Sequence, residues 1–387
     1  MAAAVCCLAL IYQKNETQTA MKSFKIEVPQ EVLNDLSIRL KQTRWTDEPE
    51  NAGWNYGTNP TYLRELVTYW QNEYDWRKHE AEINKYPQYK VDIDGVTIHY
   101  IHVKGKGQAN SPLILTHGWP DSFFRFLKII PMLNASFDVV IPSIPGFGFS
   151  QQTALNVDRV AELFNKLMTN VLGYTTYFAA GGDMGSVVTK SLAVQYPENI
   201  KAIHLTDVGY PNGTEDWSTM TPEEQTFGQQ IQHWFFTEGA FNMIQSTKPQ
   251  TLGYALNDSP VGLASWMIEK FYAWSDHDGN IENALTKDEL ITNIMIYWVS
   301  QSINSSIRVY AENARASYMG GLKSSQRVGV PTGISLFPKE AQFPKAWADR
   351  MVNVASFTVM KKGGHFAAME VPDLYAKELI NFFGKQK

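Results

Sequence analysis

The chain has 387 residues, 44% of them hydrophobic and 19% charged, with Gly and Pro scattered along its length. That composition excludes a disordered, collagen-like or coiled-coil chain. Lys+Arg 34 against Asp+Glu 39 leave a net charge of −5 without basic runs, which argues against nucleic acid as a partner. The only cysteines are the adjacent Cys6 and Cys7, so a disulfide framework and a Cys-based zinc site are excluded as well.

Residues 1–20 form a tail. Its apolar stretch, Met1–Tyr12, is about half the ~20 residues of a membrane span and lacks the positive start of a secretory signal. Residues 21–90 read as a helical, Trp-dense segment, with Leu33, Leu36 and Leu40 at helical spacing. Between 91 and 209 the period changes. Runs such as VTIHYIHV, PLILTHG, FDVVIPSIPG and IKAIHLTDV predict strands, alternating with helices. The clearest helix is Val157–Leu172, with Gly173 as its stop. The alternation predicts an α/β fold, a mostly parallel sheet with helices on both faces. Over 210–320 the alternation gives way to helices rich in Trp, Phe, Tyr and Met, the pattern of a lid. It resumes over 321–387 with VPTGISLFP, ASFTVMKKGGHF and a closing helix around Pro372–Phe383.

Three places can carry chemistry. In Ala179–Ser186 (AAGGDMGS), Gly181 and Gly185 flank Asp183 between a strand and a helix, the spacing of a nucleophile elbow. An aspartate there is already a nucleophile at neutral pH, whereas a serine would need a base. Taken alone, an Asp helix cap after a Gly-rich turn explains the same residues equally well. Second, Thr116–Asp121 (THGWPD) ends an apolar strand. In such a sheet, the loop there and the residue after the nucleophile supply the N–H groups of an oxyanion hole, here Trp119 and Met184. His117 lies inside that loop motif, so an orienting hydrogen bond suits it better than a role as base. Third, Lys362–Phe366 (KGGHF) places His365 on a Gly-flanked loop after the last strand, where a general base belongs.

A base His needs a carboxylate to set its tautomer. Asp207 in HLTDVG and Glu340 in LFPKE both end strands, and spacing does not choose between them. His99 and His102, three apart in a strand, point to opposite faces and cannot share a metal. Asp276–Asn280 (DHDGN) has a misplaced Gly for a calcium loop and Lys287 where the twelfth-position Glu belongs, which predicts a turn.

Taken together, HGWPDS, PGFGFS, GGDMGS, STKPQT with ALNDSPVGLASWMIEKF, NIMIYW, VPTGISLFPKE and GGHFAAMEVPDL closely resemble an epoxide hydrolase of the α/β-hydrolase fold. The likeness runs from about Phe24 to the end, to the subgroup with the microsomal and juvenile-hormone epoxide hydrolases. It implies Asp183 as nucleophile, His365 as base and, through F-P-x-E, Glu340 rather than Asp207 as the acid. It also implies two lid tyrosines donating to the epoxide oxygen. One matches Tyr310 in RVYAEN; at the other position this chain has Phe241, which cannot donate. Either Tyr254 in TLGYAL substitutes, or the enzyme is slow, or its substrate needs one donor.

The implied reaction turns an apolar epoxide into a vicinal diol through an Asp183 ester that His365-activated water hydrolyses, with no metal or organic cofactor. Phe241 leaves an epoxide-opening cyclase or a weakly active epoxide-binding homologue as alternatives. A haloalkane dehalogenase fits less well, since Met184 offers no side-chain donor where that family commonly has Trp. The expected partner is a small apolar epoxide. A homodimer is left open, no membrane association is expected, and the expected location is cytoplasmic, with the endoplasmic reticulum membrane as the alternative.

Overall fold

The computed structural model describes residues 21–107, 110–211, 213 and 215–386; the tail over 1–20, with its two cysteines, lies outside the described residues. Nine strands among these form one sheet: β1 (Lys22–Phe24), β2 (Gln88–Ile93), β3 (Val96–Val103), β4 (Ser111–Thr116), β5 (Phe137–Pro142), β6 (Tyr177–Gly181), β7 (Ile200–Leu205), β8 (Val328–Leu336) and β9 (Val352–Val359). Their order is β1-β2-β3-β5-β4-β6-β7-β8-β9. The β1–β2, β2–β3 and β3–β5 pairs are antiparallel, and every pair from β5 to β9 is parallel.

Helices cover both faces of the central strands. In β6, Tyr177 donates its hydroxyl to Asn165 Oδ1 (2.7 Å) on helix Val157–Lys166. Its neighbour Phe178 points to the other face and stacks on Phe383 of the closing helix Pro372–Gly384 (4.7 Å between ring centroids). Residues 113–115, 139–141 and 177–180 are fully buried as a result, so these strands are apolar throughout rather than alternating.

Two predicted elements differ from the observed ones. The segment over 21–90, read as helical, also holds β1 and the first half of β2, with Lys22 opposite Lys90 and Phe24 opposite Gln88. Strand β2 turns into β3 through Asp94 (φ 53°) and Gly95 (φ 78°). This is the left-handed pair that an Asp-Gly two-residue hairpin requires. Second, the helix predicted over Val157–Leu172 is α-helical only to Lys166 and finishes as a π-helical turn over Leu167–Val171, before Gly173 at φ 75°.

Between β7 and β8 the chain runs through helices including Pro222–Thr237, Ala240–Thr247, Pro260–Trp274, Lys287–Ser300 and Ile303–Tyr318. Lys287–Ser300 starts at a capping box in which Thr286 and Glu289 satisfy each other's backbone N–H. The N-terminal segment braces it, with Tyr69 donating to Asp288 (2.8 Å) and Tyr74 lying 3.0 Å from the Thr292 hydroxyl. Its other end is tied to the core where Tyr297 donates to the Asp121 carbonyl (2.5 Å). Among the described residues no helix is long and apolar enough to cross a membrane. The parallel strands all end at one edge of the sheet, so the loops after β4, β6, β7, β8 and β9 meet there.

Candidate active site

Asp183 stands between β6 and helix Met184–Gln195 at φ 57°, ψ −134°, a strained conformation for a residue with a side chain. The turn closes only because its neighbours are small. A Cβ on Gly185 would lie 2.0 Å from the Thr116 carbonyl oxygen, and one on Gly118 would lie 2.2 Å from Asp183 Oδ1. The turn is held from the loop after β7, where Asp207 Oδ2 accepts the Asp183 N–H at 2.9 Å. Asp183 Oδ1 accepts the Trp119 N–H, also at 2.9 Å.

His365 and Glu340 meet Asp183 from the last two strands. His365 Nε2 lies 3.5 Å from Asp183 Oδ2, and Nδ1 lies 2.8 Å from Glu340 Oε1. The first distance is too long for a well-formed hydrogen bond, and the second is an ion-pair contact. Burial alone would raise the Asp183 pKa, but the His365 ring and the N–H groups of Met184 and Trp119 outweigh it and hold the carboxyl below its ordinary value. His365 shows the converse balance. Burial disfavours its charged form, yet the Glu340 and Asp183 carboxylates overcome that and hold the imidazole pKa well above normal. Burial and the charges of Glu340 and Asp183 push Asp207 up to about 7. Asp207 is engaged with the Asp183 backbone, and it is Glu340 that contacts the ring.

The THGWPD loop forms a rigid frame around this group. His117 Nε2 accepts the Ile144 N–H (3.1 Å), which places the ring proton on Nδ1, 3.0 Å from the Gly118 carbonyl. Burial lowers the His117 pKa to about 4, so this ring is a neutral brace. Asp121 accepts the Gly118 N–H (2.8 Å) and pairs with Arg125, whose guanidinium also donates to the His365 carbonyl (2.7 Å). The loop bearing His365 is gripped from the helical block too. The His365 N–H donates to the Trp274 carbonyl (2.9 Å), and Asp276 accepts the Gly363 N–H (2.8 Å). The turn predicted at 276–280 thus serves as an anchor. Among the described residues no group of three His, Cys, Asp or Glu side chains could hold a metal ion.

Above Asp183 opens a cavity of about 630 Å³, within the usual range for small-molecule sites. Met184, Tyr310, Phe241, Trp234 and Trp274 contribute to its walls. Phe241 stacks on Trp119 (5.6 Å, 8° between planes) and meets Tyr310 edge-on at 6.3 Å. Tyr310 sits edge-on to Trp119 at 6.1 Å, and burial together with the Asp183 charge keeps its phenol protonated.

Tyr254 is not part of this cavity, which corrects its expected place among the substrate-binding residues and removes it as the substitute donor, one of the three alternatives left open by Phe241. It is 72% exposed and lines a separate surface cavity with Arg39, Asp258 and Trp298. On helix Pro249–Asp258 the buried positions are Pro249, Gly253 and Leu256. Gly253 is pressed so closely against Asn304 that an added Cβ would lie 2.2 Å from its Oδ1. Tyr254, one residue or about 100° round the helix from Gly253, is thereby turned outward. Tyr210, overlooked in the sequence, does line the cavity, three residues after Asp207. Its only local sign was its place at the carboxyl end of a parallel strand.

Comparison with known proteins places most of the chain. A family model described as "Epoxide hydrolase N terminus" matches residues 21–126, and one described as "alpha/beta hydrolase fold" matches residues 111–253. Epoxide hydrolase 1 of Sus scrofa is 36% identical, the alignment covering 94% of this chain and 89% of that protein. Juvenile hormone epoxide hydrolase 2 of Ctenocephalides felis is also 36% identical, over 95% of this chain and 86% of its own. The crystal structure of the juvenile hormone epoxide hydrolase from the silkworm Bombyx mori superposes with a TM-score of 0.83 at 31% identity, covering 95% of this chain and 94% of that one. With such likeness running through both the N-terminal segment and the sheet that carries Asp183 and His365, the chain belongs to the epoxide hydrolase family of the α/β-hydrolase fold.

Proposed function

We propose that this protein hydrolyses an apolar epoxide to a vicinal diol in two half-reactions, with Asp183 as nucleophile and His365 and Glu340 as the base and its orienting acid. The observation that carries this reading is the line from Glu340 through His365 to Asp183, with the Trp119 N–H on one carboxylate oxygen and the other left facing the ring. Asp183 Oδ2 attacks an oxirane carbon, the C–O bond breaks, and the Tyr310 phenol gives its proton to the departing oxygen. A covalent ester then replaces the Asp183 charge. That charge was helping to hold a proton on His365, so its loss releases the ring proton, which restores the phenol. Neutral His365 next takes a proton from water as the water attacks the ester carbonyl carbon. Oδ1, now the carbonyl oxygen, develops negative charge beside the Trp119 and Met184 N–H groups, a contact worth about 3–4 kcal/mol per donor. Collapse expels the diol alkoxide, which takes the proton from His365; the carboxyl proton left on Asp183 then passes to the ring, which restores the starting charges, and the sum is epoxide plus water to diol.

The aromatic walls favour a substrate whose substituents are apolar. Single turnover of a panel of apolar epoxides in heavy-oxygen water tests the proposal. The label should enter Asp183 while the first-formed diol stays unlabelled, because the oxygen delivered to the diol comes from the carboxylate. Label appearing directly in the diol would mean that water opens the ring itself, and a cyclic ether as product would identify a cyclase.

A further inference from the structure

Phe241 leaves the wall over Asp183 without a hydroxyl at that point, yet Tyr210, coming from the core side, lines the same cavity. Building on the epoxide-opening reading above, we propose that Tyr210 is a second catalytic hydroxyl that hydrogen-bonds the oxirane oxygen together with Tyr310. Tyr210 follows β7, and three residues before it Asp207 grips the Asp183 backbone N–H at 2.9 Å, so the phenol is tied to the frame of the nucleophile. Its ring is pinned by Trp234 (6.4 Å) and by Phe235, which meets it edge-on at 6.5 Å. Trp234 in turn contacts Phe241 (6.3 Å), and Phe241 contacts Tyr310 (6.3 Å). Tyr210 and Tyr310 therefore end one continuous aromatic wall, with the two apolar rings between them.

Its hydroxyl is unspent. Tyr210 makes no side-chain hydrogen bond among the described residues, whereas the phenols of Tyr69, Tyr177 and Tyr297 are each committed to a protein acceptor. Burial and the surrounding charges of Asp207, Glu340 and Asp183 hold its proton in place, so it acts as a donor and not as a phenolate. In the alkylation step one phenol gives up its proton as the oxirane C–O bond breaks and the Asp183–carbon bond forms. The other phenol stays protonated and shares the developing charge.

The test is rapid-quench intact-mass kinetics on the full chain with styrene oxide, which separates ester formation from ester hydrolysis. Tyr210→Phe should form the ester roughly ten- to a hundredfold more slowly, the usual effect of losing a hydrogen bond to a charge. Hydrolysis of the ester should stay within about twofold. Adding Phe241→Tyr to Tyr210→Phe should restore most of the lost rate, because it returns a hydroxyl to the same wall; a ring with a purely structural role would not be rescued this way. Ester formation at the wild-type rate in Tyr210→Phe, or a loss confined to ester hydrolysis, overturns the proposal. If the wild-type protein forms neither ester nor diol with any epoxide, the reaction reading has failed and Tyr210 falls with it, a result visible before any variant is made.

Discussion

Replacing His365 with Gln should separate the two half-reactions and move the pH dependence of the first. The imidazole stands 3.5 Å from Asp183 Oδ2, and two opposite charges at that distance attract by about 5 kcal/mol at an effective dielectric constant of about 20. His365 also heads the interactions that hold the Asp183 pKa down against burial. Without it, burial is opposed mainly by backbone N–H groups, so the carboxyl pKa rises. The reactive carboxylate is then depleted at a higher pH than in the wild type, and the acid limb of the alkylation profile moves to higher pH. Ester hydrolysis loses its base and slows by roughly 10²–10⁴-fold, so the alkylated enzyme accumulates. Intact mass spectrometry of quenched samples between about pH 5 and 9 reads both effects, the adduct as a mass increase equal to the epoxide. Wild-type turnover without an adduct, or an alkylation profile that does not move, would falsify the coupling between Asp183 and His365.

Two further substitutions probe the frame. Glu340→Gln should slow ester hydrolysis by at least about a hundredfold, because it removes the charge 2.8 Å from His365 Nδ1. Asp207→Asn keeps an acceptor for the Asp183 N–H and should change the same step by less than about tenfold; single-turnover kinetics on both variants checks this, and the reverse ranking would put the acid after β7. Gly118→Ala sets a methyl group 2.2 Å from the present position of Asp183 Oδ1, displacing the carboxylate from the Trp119 N–H. Alkylation should fall by about a hundredfold or more, read by rapid quench alongside a melting curve that shows the variant folded; an unchanged rate refutes the packed elbow.

Local signals made much of the site readable. Asp183 and His365 announce themselves through glycines, because a turn this tight tolerates no side chain beside it, and a backbone requirement of that kind is written one residue at a time. The parallel core strands were readable as apolar runs, since burial on both faces leaves no alternation. Strands β1 and β2 escaped. β1 has three residues, and neither strand shows its partner in its own composition, since pairing is a property of two segments.

Where a side chain points across the cavity was decided only by the tertiary structure. Asp207 and Glu340 both end strands, and what distinguishes them is that one turns to the Asp183 backbone and the other to His365. Tyr254 and Tyr210 make the same point in opposite directions. Tyr254 lies close in sequence to Phe241, yet the packing of Gly253 on Asn304 rotates it into solvent. Tyr210 lies far from Phe241 and from Tyr310, in a loop with no motif, and the sheet order brings it to their wall. Backbone geometry at a single turn is a local constraint and is legible residue by residue. The meeting of side chains from different elements depends on helix phase and strand order, which arise only when the chain packs.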